Sequence, residues 1–444
     1  MKAGNNYSKH ILKSWTVLIY ANGNNDLEPE ISKSILDIES VGSGANANII
    51  VQLSRAPYKL IKSIRPNSVP TDIDGDWSGV RRYLVKENPN ISKKRDFQSV
   101  LLDDLGNLNM ADPATLKNFI SWGIKEFPSK HIMLILVGHG AGFMGILPDY
   151  TLKYPQIMSI NGVNIAINKA SKETNKKIDI LLLDSCYMSM IEIIYELGID
   201  SKSPNYLITP QISPIDGLPY NTIMKVLRGM DKNDNTKTLV KNLVYEVDKI
   251  LNKKRLNFLI FHLNSFLLKL IKKIISSISV LIIKNKIDLK KYITLSYKEF
   301  PTIDLYRLIN ILRNITSSFS MLINTFILTI CIKFINLNFY KDKTKLVKNN
   351  SFFIFTPSND YFKPMEKYYS KMRFTHNNKW ILYLSGKKDN SKFNKTPFRY
   401  TLPLPDDMPI EGLKNVIISH NPGLSQDDLN TMIDNLGWIN CTRL

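Results

Sequence analysis

The chain is short of cysteine. Its 444 residues include Cys186, Cys331 and Cys441, too few for a disulfide framework, and no CxxC or Cys/His spacing marks a zinc site. It is also short of acid: 39 Asp and Glu against 59 Lys and Arg leave a formal charge of +20. That charge suits anionic surfaces such as nucleic acid, membrane or cell wall. The basic residues are scattered, however, without the clusters and interleaved aromatics of a nucleic-acid face. Lys, Asn and Ile are abundant together, which is a compositional bias. A basic nucleic-acid-binding protein is therefore the weaker reading, and no nucleic-acid partner is expected. The N-terminus, MKAGNNYSKHILKSW, lacks an apolar run long enough for a signal peptide. The compartment stays open between cytoplasm and export by another route. Asn314–Ile332 approaches the length of a membrane span, but its Ser, Thr and Asn residues favour a buried helical hairpin. No span is expected.

What is present is an alternation of strands and helices. Apolar runs at Trp15–Tyr20, Ile49–Leu53, Gly79–Val85 and Tyr206–Thr209 read as strands, and residues 54–76 read as a loop. The segment Ala-Asn-Gly-Asn-Asn-Asp26 makes a turn in which Asn25 or Asp26 can cap the following helix. Asp112-Pro113 predicts a helix start, with Leu116, Phe119, Ile120 and Gly123 on its apolar stripe. Ser189 with Glu192 fits a capping box ahead of Met190, Ile193, Ile194 and Leu197. Alternation of this kind predicts an α/β fold with a mostly parallel sheet flanked by helices. Residues 236–340 are mainly helical in period, and Ser351–Pro357 contains one further strand.

The chemistry concentrates between His131 and Cys186. HIMLILVGHGAGFMG ends a strand in Gly138-His139-Gly140, and IDILLLDSC ends another in Asp184-Ser185-Cys186. A helix between them, roughly Val163–Thr174, makes a β-α-β unit with parallel strands. Ligands bind outside the carboxyl ends of such strands. A Cys and a His delivered there form a candidate nucleophile and acid–base pair. Glycines flanking His139 permit close approach, and a thiol just ahead of a helix N-terminus is more acidic. Asp184 lies on the same face as Cys186 if the chain is extended. Local pairing and binding of a cationic substrate group are equally good readings of it. Asp216 lies in the next loop, where a surface turn is the simpler reading.

Several blocks in order resemble the clostripain family of cysteine peptidases: WTVLIYANGNNDLE at 15–28, DWSGVRRYLV at 76–85, LGNLNMADPATLKNFISWG at 105–123, ILVGHGAGFMG at 135–145 and IDILLLDSCYMSMIEIIYEL at 178–197. Weaker echoes follow at 303–308 and 351–380. The departures are Ser185, where Ala is more usual, and Leu218, where Trp is common. The resemblance implies a caspase-like fold, with an extension at 1–14, a catalytic domain at 15–230 and a mainly helical region at 231–444. It implies a His/Cys dyad of His139 and Cys186 and cleavage after Arg or Lys, with Asp184 at the base of the pocket and Asp216 in the loop that helps form it. Oxyanion donors would be the backbone N–H groups of Gly140 and Cys186, each supplying ~3 kcal/mol. Self-cleavage between the His and Cys blocks would fall at Lys153, in a polar loop, with Pro155 restricting the segment past the bond. Some relatives need calcium, and Asp72, Asp74 and Asp76 bring carboxylates close together. An ordinary acidic turn explains them better, so no cofactor is required. Expected partners are peptides or proteins bearing Arg or Lys, and a monomer is expected. The alternative within the resemblance is a catalytically silent regulatory protein.

Overall fold

A computed structural model describes residues 12–89, 96–153, 155–210, 213–214, 217–230, 235–251, 258–289, 301–316, 318–337, 353–357, 359–387 and 401–403. In chain order the first half runs β1 (Lys13–Gly23), α1 (Glu28–Glu39), β2 (Ala47–Arg55), α2 (Tyr58–Ile64), β3 (Gly79–Leu84), β4 (Val100–Gly106), α3 (Pro113–Glu126), β5 (Ser129–Val137), β6 (Ile146–Asp149) and β7 (Gln156–Met158). Then come α4 (Ile160–Thr174), β8 (Ile180–Asp184), α5 (Ile191–Gly198), β9 (Tyr206–Pro210), α6 (Tyr220–Arg228), α7 (Thr236–Leu251), β10 (Phe258–His262) and α8 (Ser265–Lys284). The last elements are β11 (Thr302–Asp304), α9 (Leu305–Ile315), α10 (Phe319–Ile335), β12 (Phe353–Phe355), α11 (Asn359–Tyr369), α12 (Trp380–Ser385) and β13 (Thr401–Pro403).

Eight strands form the central sheet in the order β10-β9-β8-β5-β1-β2-β3-β4. β9, β8, β5, β1 and β2 are mutually parallel, whereas β3, β4 and β10 pair antiparallel at the two edges. The mostly parallel sheet flanked by helices is thus as expected. β1 explains the uninterrupted apolar run. Leu18 and Tyr20 enter a core with α3, α4, α5 and α8, while Val17, Ile19 and Ala21 enter a second core with α1, α6 and α7. A strand buried on both faces has no reason to alternate with polar residues. β10 comes from beyond residue 231 and still joins the central sheet.

Asp112 caps α3 as expected, accepting from the Ala114 N–H at 2.8 Å, with Pro113 in the first turn. Three local expectations differ. The stretch 54–76 contains α2, whose Ile61 and Ile64 are buried. Neither Asn25 nor Asp26 caps α1, because Leu27 occupies the N-cap. The Ser189/Glu192 box does not form either; Met190 occupies that N-cap without a side-chain bond. α9 and α10 do follow one another as helices, but α10 buries only one side and exposes the other. No helix among the described residues is long and apolar enough to cross a membrane.

Candidate active site

The site begins where β5 and β8 leave the sheet. Val137 pairs with Asp184, and the Gly138 N–H donates to the Asp184 carbonyl at 3.2 Å. The Ser185 hydroxyl, one of the departures from the family pattern, donates to the Gly138 carbonyl at 2.7 Å. Two residues past Gly138, Gly140 lies directly against the Cys186 carbonyl oxygen. A side chain there would overlap that oxygen and stand 2.8 Å from the Met188 methyl and 3.0 Å from the Ser185 Cβ. Only glycine fits this approach. His139 and Cys186 are therefore carried on two touching segments, and Cys186 is half-buried.

Both segments are bent sharply. Tyr187, immediately after Cys186, has φ 63°, and Leu147 has φ 60°. Left-handed backbone at bulky residues is strained and is kept only where its surroundings enforce it. Leu147 donates to the His139 carbonyl and Ala141 to the Gly145 carbonyl, both at 2.9 Å. Gly140 and Ile146 thus face each other as a non-hydrogen-bonded antiparallel pair. That geometry directs the Gly140 N–H away from the Ile146 strand.

His139 has a partner that sequence reasoning missed. Its Nε2 lies 2.8 Å from Asp26 Oδ1, and Asp26 is 7% exposed. Asp26 reaches it because β1 and β5 are adjacent parallel strands, so the loop after each emerges at the same edge. The strand order was the missing signal. The asparagines before Asp26 shape that loop. Asn25 accepts from the Leu27 N–H through its side chain at 3.0 Å and donates to the carbonyls of Asn22 and Pro148.

Asp184 is buried beneath the Cys186 segment. Its carboxylate accepts from the Tyr220 hydroxyl at 2.6 Å, from the Ser213 hydroxyl and from the Leu218 N–H. Burial pushes its carboxyl above the ordinary range, and these donors oppose the rise. Leu218, where the family commonly has Trp, is buried beside it. Asp216 lies outside the described residues.

The thiol is further from a helix start than expected. α5 begins at Ile191, and the helix field falls off within about one turn. Glu192, freed from capping, is fully buried. Its Oε1 accepts from the Phe355 N–H at 2.9 Å and the Tyr369 hydroxyl at 2.8 Å. Desolvation raises its carboxyl to about 7. Phe143, in the loop after His139, packs edge-on against Phe355 and Tyr369 with ring centroids 4.7 and 5.0 Å away. The C-terminal segment therefore braces both loops of the site.

Lys153 is exposed between β6 and β7. The chain just before it is anchored by buried Asp149, which accepts from Asn24, Met110 and Thr151 at 2.6–3.0 Å. In the 72–76 turn, Asp74 accepts from Trp77 at 2.9 Å and from the Tyr83 hydroxyl at 3.3 Å. Among the described residues, no three His, Cys, Asp or Glu side chains form a metal-binding group.

The sequence pattern defining the clostripain family matches residues 19–433. The chain belongs to the clostripain family. Clostripain of Hathewaya histolytica is 24% identical over 198 residues, which cover 41% of this chain and 35% of that protein. The chain thus aligns with about a third of that relative's length. An inactive zymogen C11 protease from Parabacteroides distasonis matches in structure with a TM-score of 0.57 and 16% identity, covering 83% of this chain and 99% of that one. A secreted C11 cysteine protease from Bacteroides thetaiotaomicron, in complex with an irreversible peptide inhibitor, matches with a TM-score of 0.50 and 16% identity, covering 73% and 84%. These likenesses give the clostripain-family chain the same fold as the two proteases.

Proposed function

We propose that the protein is a cysteine endopeptidase that hydrolyses peptide bonds following Arg or Lys. The observation that carries this reading is the contact of the two strand ends, Gly140 against the Cys186 carbonyl, which brings the segments that bear His139 and Cys186 together at the carboxyl edge of the sheet. The Cys186 thiolate attacks the carbonyl carbon of the scissile bond and forms a thioester. His139 gives its proton to the leaving amine and then takes one from the water that hydrolyses the thioester. Backbone N–H groups of Gly140 and Cys186 hold the developing oxyanion. Asp26 fixes the ring of His139 through Nε2, so the working unit is His139, Cys186 and Asp26 rather than a bare dyad.

Asp184 forms the floor of the pocket for the basic side chain. Three donors already hold it, and a carboxylate has about four acceptor sites, which leaves room for a guanidinium or ammonium. Exposed Lys153 is the site of self-cleavage. The test is hydrolysis of fluorogenic peptides ending in Arg or Lys by wild type and by Cys186→Ala, with both proteins run on a denaturing gel. Turnover by wild type alone, with Cys186→Ala intact and wild type cut near residue 153, is expected. Absence of turnover by folded wild type, calcium included, would overturn the enzymatic reading and leave the silent regulatory alternative. A single full-length wild-type band would remove self-cleavage only.

A further inference from the structure

α10 presents an apolar stripe to solvent along its whole length. Phe319, Leu322, Ile323, Phe326, Ile330 and Phe334 recur at helical spacing on its outer side. Phe319 is 78% exposed, Phe326 61% and Phe334 57%. The opposite side, with Met321, Thr325, Leu328 and Ile332, is buried against the rest of the fold. The stripe runs about 25 Å. Isolated exposed apolar residues need no explanation, but a contiguous face of this size marks an interaction surface.

The surrounding charge says what it meets. Residues 265–288 and 304–336, which contain α8, α9 and α10, hold eight Lys and Arg against two acids, exposed Asp288 and Asp304, which caps α9. Lys269, Lys273, Lys284 and Lys286 are exposed. α10 packs on α8. It ends beside β10 through the Phe261–Asn336 bridge, and α8 starts just after β10. The two helices are therefore antiparallel, which puts Lys284 and Lys286 toward the Phe319 end of the stripe.

We infer that α10 and the lysines of α8 form a docking face for an anionic lipid surface, with the Phe and Ile side chains entering the headgroup–acyl boundary and the lysines meeting the phosphates. An apolar helical face edged by cations, lying in the plane of the interface, is the pattern such helices share. A second copy of the chain fits less well, because it would bring two net-basic, lysine-bearing surfaces together. This face lies apart from His139 and Cys186 and needs no peptidase activity.

The test is co-sedimentation of the full chain with phosphatidylcholine vesicles, with and without about one-third phosphatidylserine. Binding to the anionic vesicles is expected. Phe326→Asp should weaken it about tenfold or more, and Lys284→Gln and Lys286→Gln about fivefold each. All three positions are solvent-exposed, so the variants should keep the wild-type circular dichroism spectrum and melting temperature; Phe326→Ser provides a milder second probe. Absence of vesicle binding, or binding indifferent to both lipid charge and Phe326, overturns the inference. Self-association that Phe326→Asp abolishes, in a protein that ignores vesicles, overturns it in favour of a second copy.

Discussion

Asp26 gives the first test of the proposed role of His139. Its carboxylate holds Nε2 at 2.8 Å, so Asp26→Asn preserves the shape and removes the charge beside the ring. We expect kcat to fall on the order of 10²–10⁴-fold with little change in KM or melting temperature; an equal loss in both kinetic constants would reduce Asp26 to scaffolding. Asp184 offers a second test. Its carboxyl is raised by burial, and a bound cation favours the ionised form. KM for an Arg peptide should therefore rise as pH falls through that raised value, while an Asp184→Asn variant, already weak, should lose this dependence. At this scale the meeting of the His139 and Cys186 segments was legible, because each residue ends an apolar run and His139 sits between glycines. The Asp26 contact was not. Asp26 lies 113 residues from His139, and its local context reads equally well as a helix cap.

Among the elements, α5 carries the clearest misreading. Ser189-x-x-Glu192 has the spacing of a capping box, yet tertiary contacts recruit Glu192 to hold β12 and α11. Its Oε2 finds no partner among the described residues, which leaves desolvation dominant and raises the carboxyl from 4.5 to about 7. A carboxyl raised on folding favours the folded state while protonated, so its contribution is complete below pH 4.5 and is lost as pH rises to about 7. The swing is on the order of 3 kcal/mol. Glu192→Gln should melt above wild type at pH 8 and match it at pH 5; parallel pH profiles for the two proteins would contradict the assignment. Strands buried on both faces, such as β1 and β5, announced themselves. β4 did not, because as an edge strand it is largely exposed and carries Asp103 and Asp104.

For the whole molecule, the question is how firmly the C-terminal elements join the sheet. β10 pairs with β9 over Phe258–His262. Arg373 reaches back to Glu196 and Asp200, both at 2.9 Å. Glu196 is 1% exposed, and removing the partner of a buried charge costs ~3–5 kcal/mol. With so many contacts crossing residue 231, we expect calorimetry to record one cooperative unfolding transition. Two separated transitions would mean that the helical region folds alone.

The strand order has one more consequence. Every central-sheet strand on the β5 side (β5, β1, β2, β3, β4) precedes Lys153, and every strand on the β8 side (β8, β9, β10) follows it. A cut at Lys153 would therefore divide the sheet down a single seam, β5 against β8, with His139 and Asp26 on one polypeptide and Cys186 on the other. The nicked protein would be a heterodimer whose active centre exists only while its two halves stay zipped together.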